Sequence, residues 1–133
     1  MRLQILILTV AVMGLGQSAA AAKKADFIKG RYTKTVQGCT LDALAQGSVI
    51  QNHETIPDMM DAKGFTGWQR RCVFEDIKVV KPDEAWTASM NCVEDQKEST
   101  KTFTFTKGNI KGTIDVVAPG QSDPDTYFYC VVD

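Results

Sequence analysis

Four cysteines and one histidine are the residues of this sequence whose side chains have the most distinctive chemistry. The cysteines are Cys39, Cys72, Cys92 and Cys130. No two of them stand at the C-x-x-C spacing that is typical of structural zinc sites. In a chain that carries an export signal, an even number of cysteines predicts two disulfides instead. We therefore expect no metal site, no cofactor and no free thiol to act as a nucleophile.

The pairing of the cysteines is left open by counting, because four cysteines permit three patterns. The interpretation we favour joins Cys39 to Cys72 and Cys92 to Cys130. Each of these bridges would close a loop of over thirty residues, which corresponds to roughly 4 kcal/mol of stabilisation in the chain-entropy model. The alternative joins Cys72 to Cys92 across a central hairpin, and Cys39 to Cys130 where the first and last strands of a closed barrel would meet.

The single histidine, His53, would need a partner for catalysis. Glu54, Asp58 and Asp61 lie in the same predicted loop, but no nucleophile stands at a recognisable spacing from them. The sequence also has neither the G-x-S-x-G motif of serine hydrolases nor a phosphate-binding glycine loop. We therefore predict that the protein has no catalytic residue and is not an enzyme.

The candidate binding residues lie in or beside a long irregular stretch, residues 47–67, because binding residues favour loops on a rigid scaffold. They are His53, Met59, Met60 and Trp68. Thioether and imidazole side chains suit copper, but a short helix with Met59 and Met60 on its buried face is the simpler interpretation. The basic doublet Arg70-Arg71, just beyond this stretch, is a possible contact for an acidic partner.

Residues 68–94 are predicted to form the β-hairpin around which the chain is organised. Alternation places Trp86, Ala88, Met90 and Cys92 on one face of its second arm. Other strands are predicted at residues 27–36, 48–51, 101–106, 110–116 and 126–133, a charged turn at 95–100, and short helical turns at 41–46 and 57–63. This order predicts a mainly β fold, a small antiparallel β-barrel or β-sandwich in which about six to eight strands form a meander. One or two short helical turns and two disulfides complete it.

Residues 1–22 have the features of a signal peptide, with Arg2, an apolar run too short to span a bilayer and a small-residue cleavage region. We expect residues 23–133 to form a single disulfide-bonded β domain without a transmembrane anchor, located in the periplasm or secreted. The exported part has 14 basic and 16 acidic side chains, a net charge of −2. This balance argues against binding to nucleic acid, which requires a basic face.

The positions of several residues resemble those of a group of uncharacterised small exported four-cysteine β-proteins of Gram-negative bacteria. They are Gly30-Arg31-Tyr32, Cys39, Cys72, Trp86, Cys92 and Tyr127-Phe128-Tyr129-Cys130. The resemblance implies a periplasmic β domain and supplies no catalytic residue. Periplasmic inhibitors of lysozyme and of proteases are similar in architecture only, and fold alone does not give function.

The function that we expect is a non-catalytic periplasmic binding module that recognises a periplasmic or envelope protein through an exposed loop within residues 47–67. A hydrolase inhibitor, of a lysozyme or a protease, is the sharpest version of this hypothesis. One alternative is a small-ligand-binding barrel with a cavity lined by Trp68, Trp86, Met90 and Tyr129. Another is a structural envelope protein.

Overall fold

The computed structural model describes residues 23–47 and 57–131. Its elements are β1 (Tyr32–Thr33), α1 (Val36–Gly47), β2 (Met59–Asp61), β3 (Gly64–Gly67), β4 (Arg70–Lys81), β5 (Ala85–Glu94), β6 (Lys97–Lys107), β7 (Thr113–Val117) and β8 (Asp125–Tyr129). The predicted strand at residues 48–51 and the candidate binding residue His53 lie outside the described residues.

The strands form a closed antiparallel barrel in which each pairs with the next along the chain and β8 pairs with β1. The mainly β meander is confirmed, as a barrel rather than a sandwich. Because the chain reverses direction at each strand, its connections alternate between the two ends of the barrel. We call the end with the β3–β4 and β5–β6 turns the mouth, and the end with the β2–β3, β4–β5 and β6–β7 connections the base.

Aromatic and aliphatic side chains fill the interior of the barrel. The fully buried ring of Phe105 lies 5.6 Å from the ring of Phe74 and 5.9 Å from the ring of Phe65, centroid to centroid. The predicted alternation in β5 is confirmed, because its buried residues are Trp86, Ala88, Met90 and Cys92. The central hairpin thus contributes one complete wall of the core.

Residues 23–30 close the base of the barrel, where the sequence predicted the start of a long first strand. The ring of Phe27 stacks on Trp86 with centroids 4.2 Å apart, and the Ala25 N–H donates to the Ala62 carbonyl at 2.7 Å. Gly30 has φ +85°, and a Cβ at this position would lie 2.7 Å from the ring of Tyr129. The chain therefore enters the sheet only at Tyr32, after this glycine.

The predicted helical turn at residues 57–63 is wrong, because Met59–Asp61 is strand β2, paired on both sides with β1 and β3. Periodicity does not distinguish helix from strand in so short a run. Pairing with two neighbouring strands decides that these residues form a strand. The helical turn predicted at 41–46 is part of a longer helix, α1. The turn predicted at 95–100 is only the two residues Asp95-Gln96, because β6 already begins at Lys97.

The favoured disulfide pairing is also wrong, because the bridges are Cys39–Cys130 and Cys72–Cys92. Cys72 and Cys92 are direct partners in β4 and β5, with Cα atoms 4.0 Å apart and both side chains in the core. Cys130 follows β8 on the side of the sheet that α1 covers. Its N–H donates to the Arg31 carbonyl at 2.8 Å, beside β1.

Helix α1 is placed for the Cys39–Cys130 bridge by close contacts with the first strand. A Cβ on Gly38 would lie 2.8 Å from the Cβ of Thr33, so the absent side chain permits the approach of the helix. The Arg31 guanidinium donates two hydrogen bonds to the Asp42 carboxylate, which raise the pKa of Arg31. The helix therefore lies against the outside of the barrel, where Cys39 meets the end of β8.

Candidate functional site

Two tight turns stand side by side at the mouth of the barrel. The β3–β4 turn consists of Trp68 and Gln69, and the β5–β6 turn consists of Asp95 and Gln96. The Asp95 N–H donates to the Gln69 carbonyl at 3.0 Å, which joins the two turns. The β5–β6 turn joins two of the longest strands of the barrel, whereas the β3–β4 turn joins the four-residue β3 to the twelve-residue β4. The disulfide between β4 and β5 links the strands that carry the two turns.

Three residues of these turns have backbone conformations that side chains disfavour. The φ angles are +53° at Gln69, +48° at Asp95 and +67° at Gln96. Two-residue hairpin turns usually have glycine, asparagine or aspartate at such positions, so the two glutamines are the unusual residues, at a cost of about 1–2 kcal/mol each. Retained strain of this kind is a reason to look for function at these turns.

A cleft of about 580 Å³ opens between the two turns. The residues that line it are Gly67, Gln69, Arg70, Arg71, Val93, Asp95 and Gln96. Trp68 stands beside the cleft and is 41% exposed, Val93 is 42% exposed and Arg71 is also exposed. We call Trp68, Gln69, Arg71, Val93, Asp95 and Gln96 together the turn surface. Tryptophan and arginine are the residue types most enriched among energetically dominant contacts of protein interfaces.

Beneath the turn surface, six side chains of alternating charge surround the inside of the mouth. In order around the barrel they are Lys34, Asp58, Arg70, Glu94, Lys101 and Asp125, and we call them the charged ring. Adjacent members form ion pairs, at 3.5 Å between Lys34 and Asp58 and at 3.1 Å between Lys101 and Glu94. Each member is partly exposed, so water screens these pairs and each contributes little stability alone.

Two features join the charged ring to the core. Gly67 has no side chain, which leaves space for the Asp58 carboxylate above it, where a Cβ would collide. The Arg70 guanidinium lies over the Phe65 ring, 5.6 Å from its centroid, and its Nε is 3.5 Å from a Glu94 carboxylate oxygen. The charged ring thus covers the apolar interior with charges that largely neutralise one another within the mouth.

Tyr127 lies directly under the charged ring and is only 2% exposed. Burial raises the pKa of its phenol well above the usual value of ~10. Arg70 opposes this shift, whereas Asp58 and Asp125 add to it. The folded chain therefore holds the Tyr127 proton to higher pH than the unfolded chain does.

We expect the free energy of unfolding to fall as pH rises above about 10, by up to about 1.4 kcal/mol per pH unit for this one group. The sign follows from the raised pKa in the folded state, since the unfolded tyrosine ionises first and pulls the equilibrium toward unfolding. Urea unfolding between about pH 8 and about pH 11 measures this slope, and Tyr127→Phe should flatten it. Equal slopes in the two proteins would contradict the role assigned to Tyr127.

The structure separates the residues that the sequence singled out. Trp68 is exposed on the turn surface, whereas Met59 and Met60 are buried, in β2. The four residues predicted to line a ligand cavity do not meet in one, because Trp86 and Met90 belong to the packed core, while Trp68 and Tyr129 lie at opposite ends of the barrel.

Two further observations concern metals and membranes. Within the described residues, one cluster, Cys72, Cys92 and Glu94, has donor atoms close enough together for a metal ion, but its two sulfurs are bonded to each other. The described part of the chain contains no helix long and apolar enough to cross a bilayer.

Sequence reasoning missed the β5–β6 half of the turn surface. The sequence predicts Asp95-Gln96 as part of a longer charged turn, and Gln96 stands where the usual two-residue turn signal has glycine. The doublet Arg70-Arg71 is the sequence signal that points to this end of the barrel. The structure gives the two arginines different roles. Arg70 faces the mouth and joins the charged ring, whereas Arg71 points outward and belongs to the turn surface.

Comparisons with protein-family models, with curated proteins and with solved structures give no match for this chain. The resemblance to exported four-cysteine β-proteins therefore stays a prediction.

Proposed function

We propose that this protein is an exported, non-catalytic binding module that recognises a protein partner through the turn surface. The observation that carries the proposal is an exposed tryptophan beside a cleft of about 580 Å³, between two strained turns on a rigid sheet. The two disulfides support folding in an oxidising compartment such as the periplasm.

The turn surface is arranged for recognition before a partner arrives. Gln69 and Asp95 are joined by a backbone hydrogen bond of 3.0 Å, and Cys72–Cys92 bridges the supporting strands close below. A preorganised surface loses little conformational entropy on binding, so more of the contact energy appears as affinity. Within the stretch 47–67 that the sequence suggested as the binding loop, Met59–Asp61 and Gly64–Gly67 are strands β2 and β3, and residues 48–56 lie outside the described residues.

The chemistry of the turn surface indicates what a partner must offer. Trp68 and Val93 need an apolar pocket, and the outward-facing Arg71 needs an acidic group near it. The active-site cleft of a hydrolase that works with paired carboxylates supplies such acidic groups. A hydrolase inhibitor is therefore the form of the proposal that we would test first, with a structural envelope protein as the alternative.

We expect Trp68→Ala to weaken partner binding by roughly 30-fold or more, the loss of about 2 kcal/mol that is typical of a dominant interface residue. The oxidised protein is immobilised and offered a cell-envelope extract and purified lysozymes and proteases, and retained proteins are identified and titrated. Ile110→Ala is the control, because Ile110 is also a large exposed apolar side chain, at 67% exposure, but lies at the base.

Two results would overturn the proposal. The first is that the wild-type protein retains no partner from either source. The second is that Trp68→Ala binds a retained partner as tightly as the wild type does, which would move recognition away from the turn surface. Unchanged thermal unfolding of Trp68→Ala verifies that any loss of binding is local.

A further inference from the structure

The base of the barrel carries a second surface that the proposed function does not use. In residues 78–81, which end β4 just before the Pro82-Asp83-Glu84 turn, Val79 and Val80 stand between two lysines and are 61% and 64% exposed. In residues 107–111, the β6–β7 connection, Ile110 stands between two lysines and is 67% exposed. We call these two segments the lysine-flanked tips.

The two tips form one continuous surface. The Lys107 N–H donates to the Glu84 carbonyl at 2.9 Å, which joins the β6–β7 connection to the β4–β5 turn. A cleft of about 240 Å³ lies beside Ile110 and Lys111, and its walls include the aromatic rings of Phe27, Tyr32 and Trp86. Aliphatic tips and an aromatic cleft therefore share one end of the molecule.

The positive charge of this surface is only partly neutralised within the protein. Lys81 pairs with Glu84 at 2.7 Å, and Lys23 pairs with Asp76 at 3.3 Å. The exposed Asp83 in the β4–β5 turn adds one further negative charge. Lys78, Lys107 and Lys111 form no ion pair with a carboxylate anywhere in the described residues, and all three are exposed. Lys78 is adjacent to Val79 and Lys111 is adjacent to Ile110 in the sequence, and Lys107 begins the connection that carries Ile110.

Aliphatic side chains near the tips of adjacent hairpins, with flanking lysines of which three form no ion pair with a described carboxylate, fit the boundary of an anionic bilayer. The apolar tips enter the region between headgroups and acyl chains, while the lysines remain level with the lipid phosphates. Each lysine near such a surface strengthens binding about five-fold. A flat protein partner offers no comparable layer with charge outside and hydrocarbon beneath.

We infer that the base of the barrel docks on an anionic lipid bilayer through the lysine-flanked tips. This surface and the turn surface lie at opposite ends of the barrel, so a docked molecule presents the turn surface away from the membrane. The inference does not depend on the proposed function, because it uses none of the residues of the turn surface.

The test is sedimentation of the oxidised protein with vesicles of mixed phosphatidylglycerol and phosphatidylcholine. We expect binding to these vesicles that weakens as salt is added, and much weaker binding to phosphatidylcholine alone. Lys107→Gln/Lys111→Gln should lower the partition coefficient roughly 25-fold, and Ile110→Ser should lower it as well. Lys97→Gln and Val93→Ser, which change the same residue types at the mouth, should leave it unchanged.

A second measurement reports insertion directly. The fluorescence of Ile110→Trp should shift to shorter wavelength on the anionic vesicles and be quenched by bromine-labelled acyl chains. The inference is overturned if the wild type fails to bind anionic vesicles, if it binds neutral vesicles equally, or if the mouth variants lose as much binding as the base variants. Binding of the base to a retained protein instead, with no vesicle binding, would equally overturn it.

Discussion

We expect Cys39→Ala/Cys130→Ala to lower the free energy of unfolding by about 4–5 kcal/mol, the largest effect of any change considered for this protein. The bridge spans a sequence separation of 91 residues, and the entropy that a crosslink removes from the unfolded chain grows with the length of its loop. A domain of this size has roughly 5–15 kcal/mol of stability in total. Urea unfolding of the oxidised proteins, compared at equal m-value, measures the loss.

The single variant Cys39→Ala tests the pairing itself. In the structure its partner is Cys130, so alkylation of the oxidised variant after unfolding should label Cys130 and leave the Cys72–Cys92 bridge intact. Label on Cys72 would restore the pairing that the sequence favoured and would contradict the barrel closure described above. Mass spectrometry of the proteolysed variant identifies the labelled residue.

Gly64→Ala should destabilise the fold by about 3 kcal/mol or more, the second largest expected effect. Gly64 has φ +142°, which side chains rarely adopt, and a Cβ there would collide with the backbone carbonyl of Cys72. Neither backbone can move freely, because β3 and β4 pair at this point and Cys72 is held by its disulfide. Thermal or urea unfolding measures the change.

Gly120→Ala is the matched control for Gly64→Ala. Gly120 also has a positive φ, +76°, but nothing lies within 4 Å of the position that a Cβ would occupy. We expect this control to lose only about 1–2 kcal/mol, the cost of the backbone conformation alone. Equal losses at the two positions would show that the approach of β3 to β4 is not the constraint that selects glycine at residue 64.

The proposals for the turn surface and for the lysine-flanked tips can be tested independently of each other. Trp68 belongs to the mouth, whereas Ile110 and Lys111 belong to the base, and the whole length of the barrel separates them. Effects of distant substitutions add when no partner is shared. A protein with Trp68→Ala should therefore keep its affinity for anionic vesicles, and one with Lys107→Gln/Lys111→Gln should keep its affinity for a soluble protein partner.

Local alternation was sufficient to predict the central hairpin and the face of β5 that carries Trp86, Ala88, Met90 and Cys92. The same is true of Phe103 and Phe105 in β6, which are buried as their spacing with threonine indicates. In such strands one face is apolar and the other polar over many residues, so the pattern is set by neighbours in sequence. These strands account for most of the barrel wall.

Residues whose environment comes from distant parts of the chain were not predictable in this way. Met59 and Met60 looked like one face of a helical turn, because the pairing of β2 with β1 and β3 leaves no local pattern in a three-residue strand. Gly64 gives no local signal of its role, which is to let β3 approach the backbone of Cys72.

The sequence by itself determined the mainly β class, the number of disulfides and the main hairpin, because each follows from residue type and short-range spacing. Only the tertiary structure decided the closure of β8 on β1, and with it the bridge between Cys39 and Cys130. Only it brought the Trp68-Gln69 and Asp95-Gln96 turns together at one end and the lysine-flanked tips together at the other. Closure joins residues that are far apart in sequence, and no local pattern records which of them will meet.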